Sequence, residues 1–90
     1  MFYVYIIYSK NDDRFYVGMT ANIQQRIKDH NSGRNKSTKP YRPWIVVHTE
    51  VFQNRTDARK REKYLKTSAG RKWRKMNINI DDYLLDNNVS

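Results

Sequence analysis

From Phe2 to Tyr8 the chain is β-branched and aromatic without a break, a run that favours a strand over a helix. Polar turn chemistry follows at Lys10-Asn11-Asp12-Asp13. Arg14 to Gly18 then makes a second short strand, so the two read as a β-hairpin. A turn closing near Asn11-Asp12 puts odd residues of the first strand on the same face as even residues of the second. Tyr5 and Tyr16 then share a face. Thr20 suits a helix N-cap, and Ile23 and Ile27, four apart, draw an apolar stripe along the helix that follows. Arg26 and His30 have the same spacing and stack one turn above the other.

Beyond His30 the Ser, Gly, Asn, Lys and Pro content of residues 31–41 predicts a flexible basic loop. Trp44 to Phe52 is a third strand, with Pro43 at its entrance, where no ladder donor is needed. There Ile45, Val47, Thr49 and Val51 alternate with Val46, His48 and Glu50, which predicts one apolar face and one mixed face. Asn54 to Asp57 offers caps for a helix from about Thr56 to Lys66, and Gly70 is expected to separate it from a short helix near Arg71 to Met76. The order is β-β-α-β-α plus a short C-terminal helix, an α+β domain around a small three-stranded antiparallel sheet. That domain is expected to span residues 1–76. The acidic, Asn-rich tail, 77–90, is expected to be mobile, although Leu84 and Leu85 could fold back.

Ninety residues make one domain with a modest core. With no Cys, disulfide staples and thiolate metal sites are excluded. No segment approaches ~20 apolar residues and no apolar leader precedes the first strand, so the expected setting is cytoplasmic. The formal net charge is +9, and it is unevenly placed: residues 34–75 hold fourteen basic and three acidic side chains, whereas residues 76–90 hold three Asp and no Lys or Arg. A basic middle on a small domain suggests a polyanionic partner, nucleic acid before an acidic membrane surface, with solubility alone as the plainer reading. Arg34, Lys36, Lys39 and Arg42, with Tyr41 and Trp44 among them, are placed to track a phosphate backbone and stack a base. Gly18 allows close backbone approach where a side chain would block substrate. Ala58, Glu62 and Leu65 share a helix face, so a carboxylate is aimed at or beside the core, where it needs a partner: an ion pair, for instance to Arg26, or a metal. Zinc spacing, a Gly-rich phosphate loop and a Ser-His-Asp order are all absent from the sequence.

The triplets Tyr3-Val4-Tyr5 and Tyr16-Val17-Gly18, the latter continuing into Met19-Thr20, resemble the signature of the GIY-YIG nuclease domain. Arg26, ten residues past Tyr16, His30 and Glu62 fall where that family keeps its catalytic arginine, its histidine or tyrosine, and its metal-binding glutamate. His30-Asn31-Ser32-Gly33 and Arg42-Pro43-Trp44 resemble the small stand-alone members, and the likeness covers roughly residues 2 to 75. The first triplet lacks its glycine, and Met19 stands where some repair nucleases have lysine. The resemblance implies an endonuclease that hydrolyses DNA with one Mg²⁺ or Mn²⁺ ion on Glu62 and leaves a 5′-phosphate. Tyr5 is then the expected acceptor of the attacking water's proton, with Tyr16 orienting water or phosphate, or the two exchanged. Arg26 is expected to stabilise charge on the phosphate, and His30 to orient a tyrosine or water or to donate a hydrogen bond to the phosphate. A catalytically weak or inactive nucleic-acid-binding module is the alternative on the same scaffold. A partner-docking subunit using Trp73 and the Leu84-Leu85 region is a third.

Overall fold

The computed structural model describes residues 1–83. Among them, β1 (Phe2–Ser9), β2 (Arg14–Thr20) and β3 (Trp44–Phe52) form one antiparallel sheet in the order β2-β1-β3. Residues 10–13 close the β1–β2 hairpin, Ser9 pairing with Arg14. Asp13 takes a left-handed φ of 50°, a conformation Asp tolerates, and its carboxylate accepts a 2.8 Å bond from the Tyr8 hydroxyl. The sheet is accompanied by α1 (Ile23–Ser32), α2 (Arg55–Leu65) and α3 (Ser68–Asn77), with a 3₁₀ turn at Lys39–Tyr41 before β3, and residues 80–83 are helical as well.

The sheet is buried on both faces, which explains the unbroken apolar run of its central strand. Val4, Ile6 and Tyr8 join Val17, Val47, Ala58 and Leu65 in one cluster, so α2 covers that side. Tyr5, Ile7 and Trp44 form a second cluster with Ile23 and Ile27 of α1. Alternation along β1 therefore separates a face packed by α2, the helix that carries Glu62, from a face that carries Tyr5 and packs against α1.

The structure corrects several local expectations. Thr20 does not cap α1. Asn22 does, accepting from the Gln25 N–H at 3.1 Å, while the Thr20 hydroxyl accepts from the Asn22 N–H. The simple alternation expected in β3 is interrupted, because Ile6 pairs with His48 but Ile7 pairs with Val46. This bulge puts Ile45, Val47, His48, Glu50 and Phe52 on the packing side, while Val51 is exposed. Gly70 does not divide the last two helices. It lies inside α3, capped by Thr67, where an added Cβ would collide with the Tyr64 carbonyl oxygen and Leu65 Cα of α2. It is there for close helix–helix approach. Ile78 and Ile80, which the sequence assigns to the tail, pack against the core, as does Trp73. The Trp73 ring packs with His48 at 5.1 Å and with the Arg61 guanidinium at 4.7 Å, and it stays partly exposed. Leu84 and Leu85 lie outside the described residues.

Candidate active site

Each candidate side chain is placed by a local feature of the sequence. Tyr5 pairs across the hairpin with Gly18, and Tyr16 pairs with Ile7, so both tyrosines face α1 as the parity argument requires. Gly18 has a different use from the one expected. A Cβ there would collide with the hydroxyl and ring of Tyr5, so the space is taken by the tyrosine and not by substrate. The phenol thereby crosses over β2 and reaches α1. On that helix Arg26 and His30 lie one turn apart, and Gly33, in the left-handed region at φ 86°, ends the helix just beyond them.

Tyr5, Tyr16 and His30 come together. The Tyr5–Tyr16, Tyr5–His30 and Tyr16–His30 ring centroids are 6.4, 5.8 and 5.0 Å apart. The Tyr5 hydroxyl lies 2.9 Å from His30 Nε2, and the other ring nitrogen, Nδ1, lies 2.8 Å from the Thr38 hydroxyl. Tyr5 and His30 are both fully buried, whereas Tyr16 and Arg26 are partly exposed.

Burial raises the Tyr5 pKa to about 12, even though the Arg26 guanidinium, hydrogen-bonded to the phenol, pulls it back down; the charges of Tyr16 and Glu62 push it up. Burial also lowers the His30 pKa, helped by the positive charge of Arg26. At neutral pH the pair is therefore a neutral phenol and a neutral imidazole. Arg26 keeps a further donor in reserve: its Nε is buried and has no hydrogen-bond partner among the described residues.

Glu62 is buried on α2, and its charge is felt at the Tyr5 phenol. Its carboxylate is held within its own helix by Arg59 at 3.4 Å and Lys66 at 3.3 Å, not by Arg26. Both of those cationic side chains are about half exposed and can swing into solvent. No group of three or more His, Asp or Glu suited to a metal occurs among the described residues. A single oxygen donor of this kind fits a hard divalent cation whose other ligands are water and phosphate oxygens. Arg34, Lys36, Lys39 and Arg42 remain exposed on the segment after α1; Arg34 approaches Asp29 at 3.8 Å, and Arg42 Nε donates to the Lys39 carbonyl at 2.9 Å.

Thr38, Asn31 and the indole of Trp44 also shape the site, and their contributions escape a reading by periodicity. Thr38 is buried within the supposedly flexible loop, and its carbonyl accepts from Trp44 Nε1 at 2.9 Å. Asn31 pairs with the Trp44 backbone in both directions, accepting from its N–H at 2.7 Å and donating to its carbonyl at 3.1 Å. It thus acts as a strand neighbour at the start of β3. The one hint in the sequence is that Asn31 directly follows His30.

Two tyrosines on the three-stranded sheet face a histidine and an arginine on α1, the arrangement the resemblance to GIY-YIG domains leads one to expect. The chain belongs to the GIY-YIG family: residues 1–77 match the model of the GIY-YIG catalytic domain. It is 40% identical over 75 residues to a UPF0213 protein of Staphylococcus haemolyticus, covering 82% of this chain and 90% of that protein. A UPF0213 protein of Clostridium perfringens is 43% identical over 67 residues, 73% of this chain and 71% of that one. Among solved structures, the solution NMR structure of a UPF0213 protein from Bacillus halodurans superposes with a TM-score of 0.52 at 35% identity, covering 84% of this chain and 82% of that one. The family implies a nucleic-acid substrate. No helix among the described residues is long and apolar enough to cross a membrane.

Proposed function

We propose that this domain is a divalent-metal-dependent endonuclease that hydrolyses DNA phosphodiester bonds. The observation that carries the reading is the pairing of the Tyr5 phenol with a neutral His30 beside a permanently charged guanidinium that still has an unpartnered buried N–H. A phenol whose pKa is about 12 is almost never ionised at neutral pH, so Tyr5 alone is a poor base. Paired with His30 it need not ionise. As water attacks phosphorus, the Tyr5 oxygen takes the water's proton while its own proton passes to His30 Nε2. The phosphorus–O3′ bond breaks, the leaving oxygen takes a proton from solvent, and the 5′-phosphate and imidazolium remain.

Arg26 turns from Tyr5 to the phosphate, uncovering the phenol and offering its fork to two oxygens. Tyr16 positions water or phosphate at the same surface. Glu62 would hold Mg²⁺ or Mn²⁺ once Arg59 and Lys66 release it. When bound, the ion supplies Lewis-acid stabilisation of the phosphate and leaving group.

Cleavage of a panel of single-stranded, nicked, forked and flapped DNAs with Mg²⁺ or Mn²⁺ tests this reading. Glu62→Ala should remove cleavage and leave DNA binding intact or slightly tighter. Cutting that survives both EDTA and Glu62→Ala overturns the metal assignment. The ion pairs already satisfying Glu62 favour a second reading, a binding module with little or no catalysis; it predicts EDTA-resistant binding and no cleavage on any substrate.

A further inference from the structure

We propose that Thr38 is a positioning residue for the Tyr5–His30 pair: its buried hydroxyl holds His30 in the Nδ1–H tautomer and leaves Nε2 free to accept the phenolic proton. This rests on the reading of the site just given. The direction of each hydrogen bond follows from the groups at the two ends of the chain. At one end the Thr38 hydroxyl faces the Asn35 carbonyl at 3.4 Å; a carbonyl only accepts, so the hydroxyl hydrogen points there. With its hydrogen on that carbonyl, the Thr38 oxygen is left to accept from its neighbour at 2.8 Å, His30 Nδ1. At the other end the Tyr5 hydroxyl lies 2.9 Å from His30 Nε2, and the positive charge of Arg26, felt at the phenol, favours the hydroxyl turning its oxygen lone pairs toward the guanidinium and its hydrogen toward Nε2. Both ends favour the same tautomer.

Thr38 is itself anchored. It is 1% exposed, its N–H donates to Asn35 O at 3.2 Å, and its carbonyl is held by the Trp44 indole. A solvent-facing threonine would be free to rotate, whereas this one has its backbone fixed on both sides. In the opposite tautomer His30 Nε2 would donate to Tyr5, the phenolic hydrogen would have to point elsewhere, and the imidazole would have no lone pair for the proton the reaction releases. A wrong tautomer at a catalytic base leaves geometry intact while removing function.

The protein has two histidines, His30 and His48, so their ring nitrogens are easily resolved by long-range ¹H–¹⁵N NMR. In the wild-type protein near pH 8, His30 should show a protonated Nδ1 and an unprotonated Nε2. Thr38→Val, which keeps the shape and deletes the hydroxyl, should move the ring toward the Nε2–H tautomer. It should also lower kcat by on the order of ten- to a hundredfold with KM unchanged. Thr38→Ser should restore both. A wild-type His30 protonated at Nε2 overturns the proposal before any variant is made, as does a Thr38→Val protein with unchanged tautomer and rate. If the wild-type protein cleaves nothing, the nuclease reading falls, while the NMR result still decides the role of Thr38.

Discussion

Tyr5 is completely buried, and that decides how its role has to be tested. A buried ring contributes packing, and its loss would destabilise the domain whatever its chemistry, so Tyr5→Phe is the informative change because it deletes only the hydroxyl. If Tyr5 relays the proton, this variant folds, binds DNA and cleaves at least a hundredfold more slowly in a single turnover. Tyr16 is partly exposed and its ring contacts both Tyr5 and His30, which makes the exchange of roles physically reasonable. Tyr5→Phe cutting at full speed beside an inactive Tyr16→Phe would establish that exchange. The thermal midpoint of each variant separates chemistry from folding.

Elements are tied to one another by a few partly buried charges. Glu50 on β3 accepts two bonds from Arg61 of α2, at 2.8 and 3.1 Å, and one of 2.7 Å from His48. Burial raises the Glu50 pKa, but these bonds more than offset it, and the net value lies below the usual carboxylate range. Because the folded pKa is depressed, the stabilisation is complete above the unfolded value of ~4.3 and is lost as pH falls through the folded value. His30, also depressed, removes stability earlier, as pH drops below the ordinary histidine value of ~6.5. Thermal midpoints measured from pH 8 to pH 3 should therefore decline in two stages. Glu50→Gln should cost about 1.5–3 kcal/mol at neutral pH and remove much of the lower stage. A profile with the same lower stage in the variant would show that the Glu50 linkage is not its source.

The same elements show what the sequence discloses. The hairpin, the parity of Tyr5 and Tyr16 and the Arg26–His30 stacking follow from periods of two and of roughly four residues, which local sterics enforce. The β3 bulge, the helix-to-helix packing at Gly70 and the burial of Thr38 depend on partners far along the chain, and no local period encodes them.

For the whole molecule the decisive quantity is the +9 charge. DNA affinity should fall steeply between low and physiological salt, because each neutralised phosphate releases counterions. Lys36 and Lys39 are both exposed, and alanine at both should reduce the log–log salt slope by roughly 1–2 without altering which sequence is preferred. An affinity insensitive to salt in a binding titration would count against a phosphate-dominated interface.

The central position of β1 bears on how the protein is made. Its two partners arrive at very different times: Arg14 follows Ser9 after four residues, whereas the β3 partner of Ser9 is Trp44 and that of Phe2 is Phe52. During synthesis β1 therefore waits with one edge unpaired while the loop and β3 are translated, and a two-stranded hairpin is marginal by itself in water. Thr38 and Trp44, which complete the surroundings of His30, emerge in the same interval. Closure of the sheet and completion of the tyrosine–histidine cluster thus depend on the same stretch of chain.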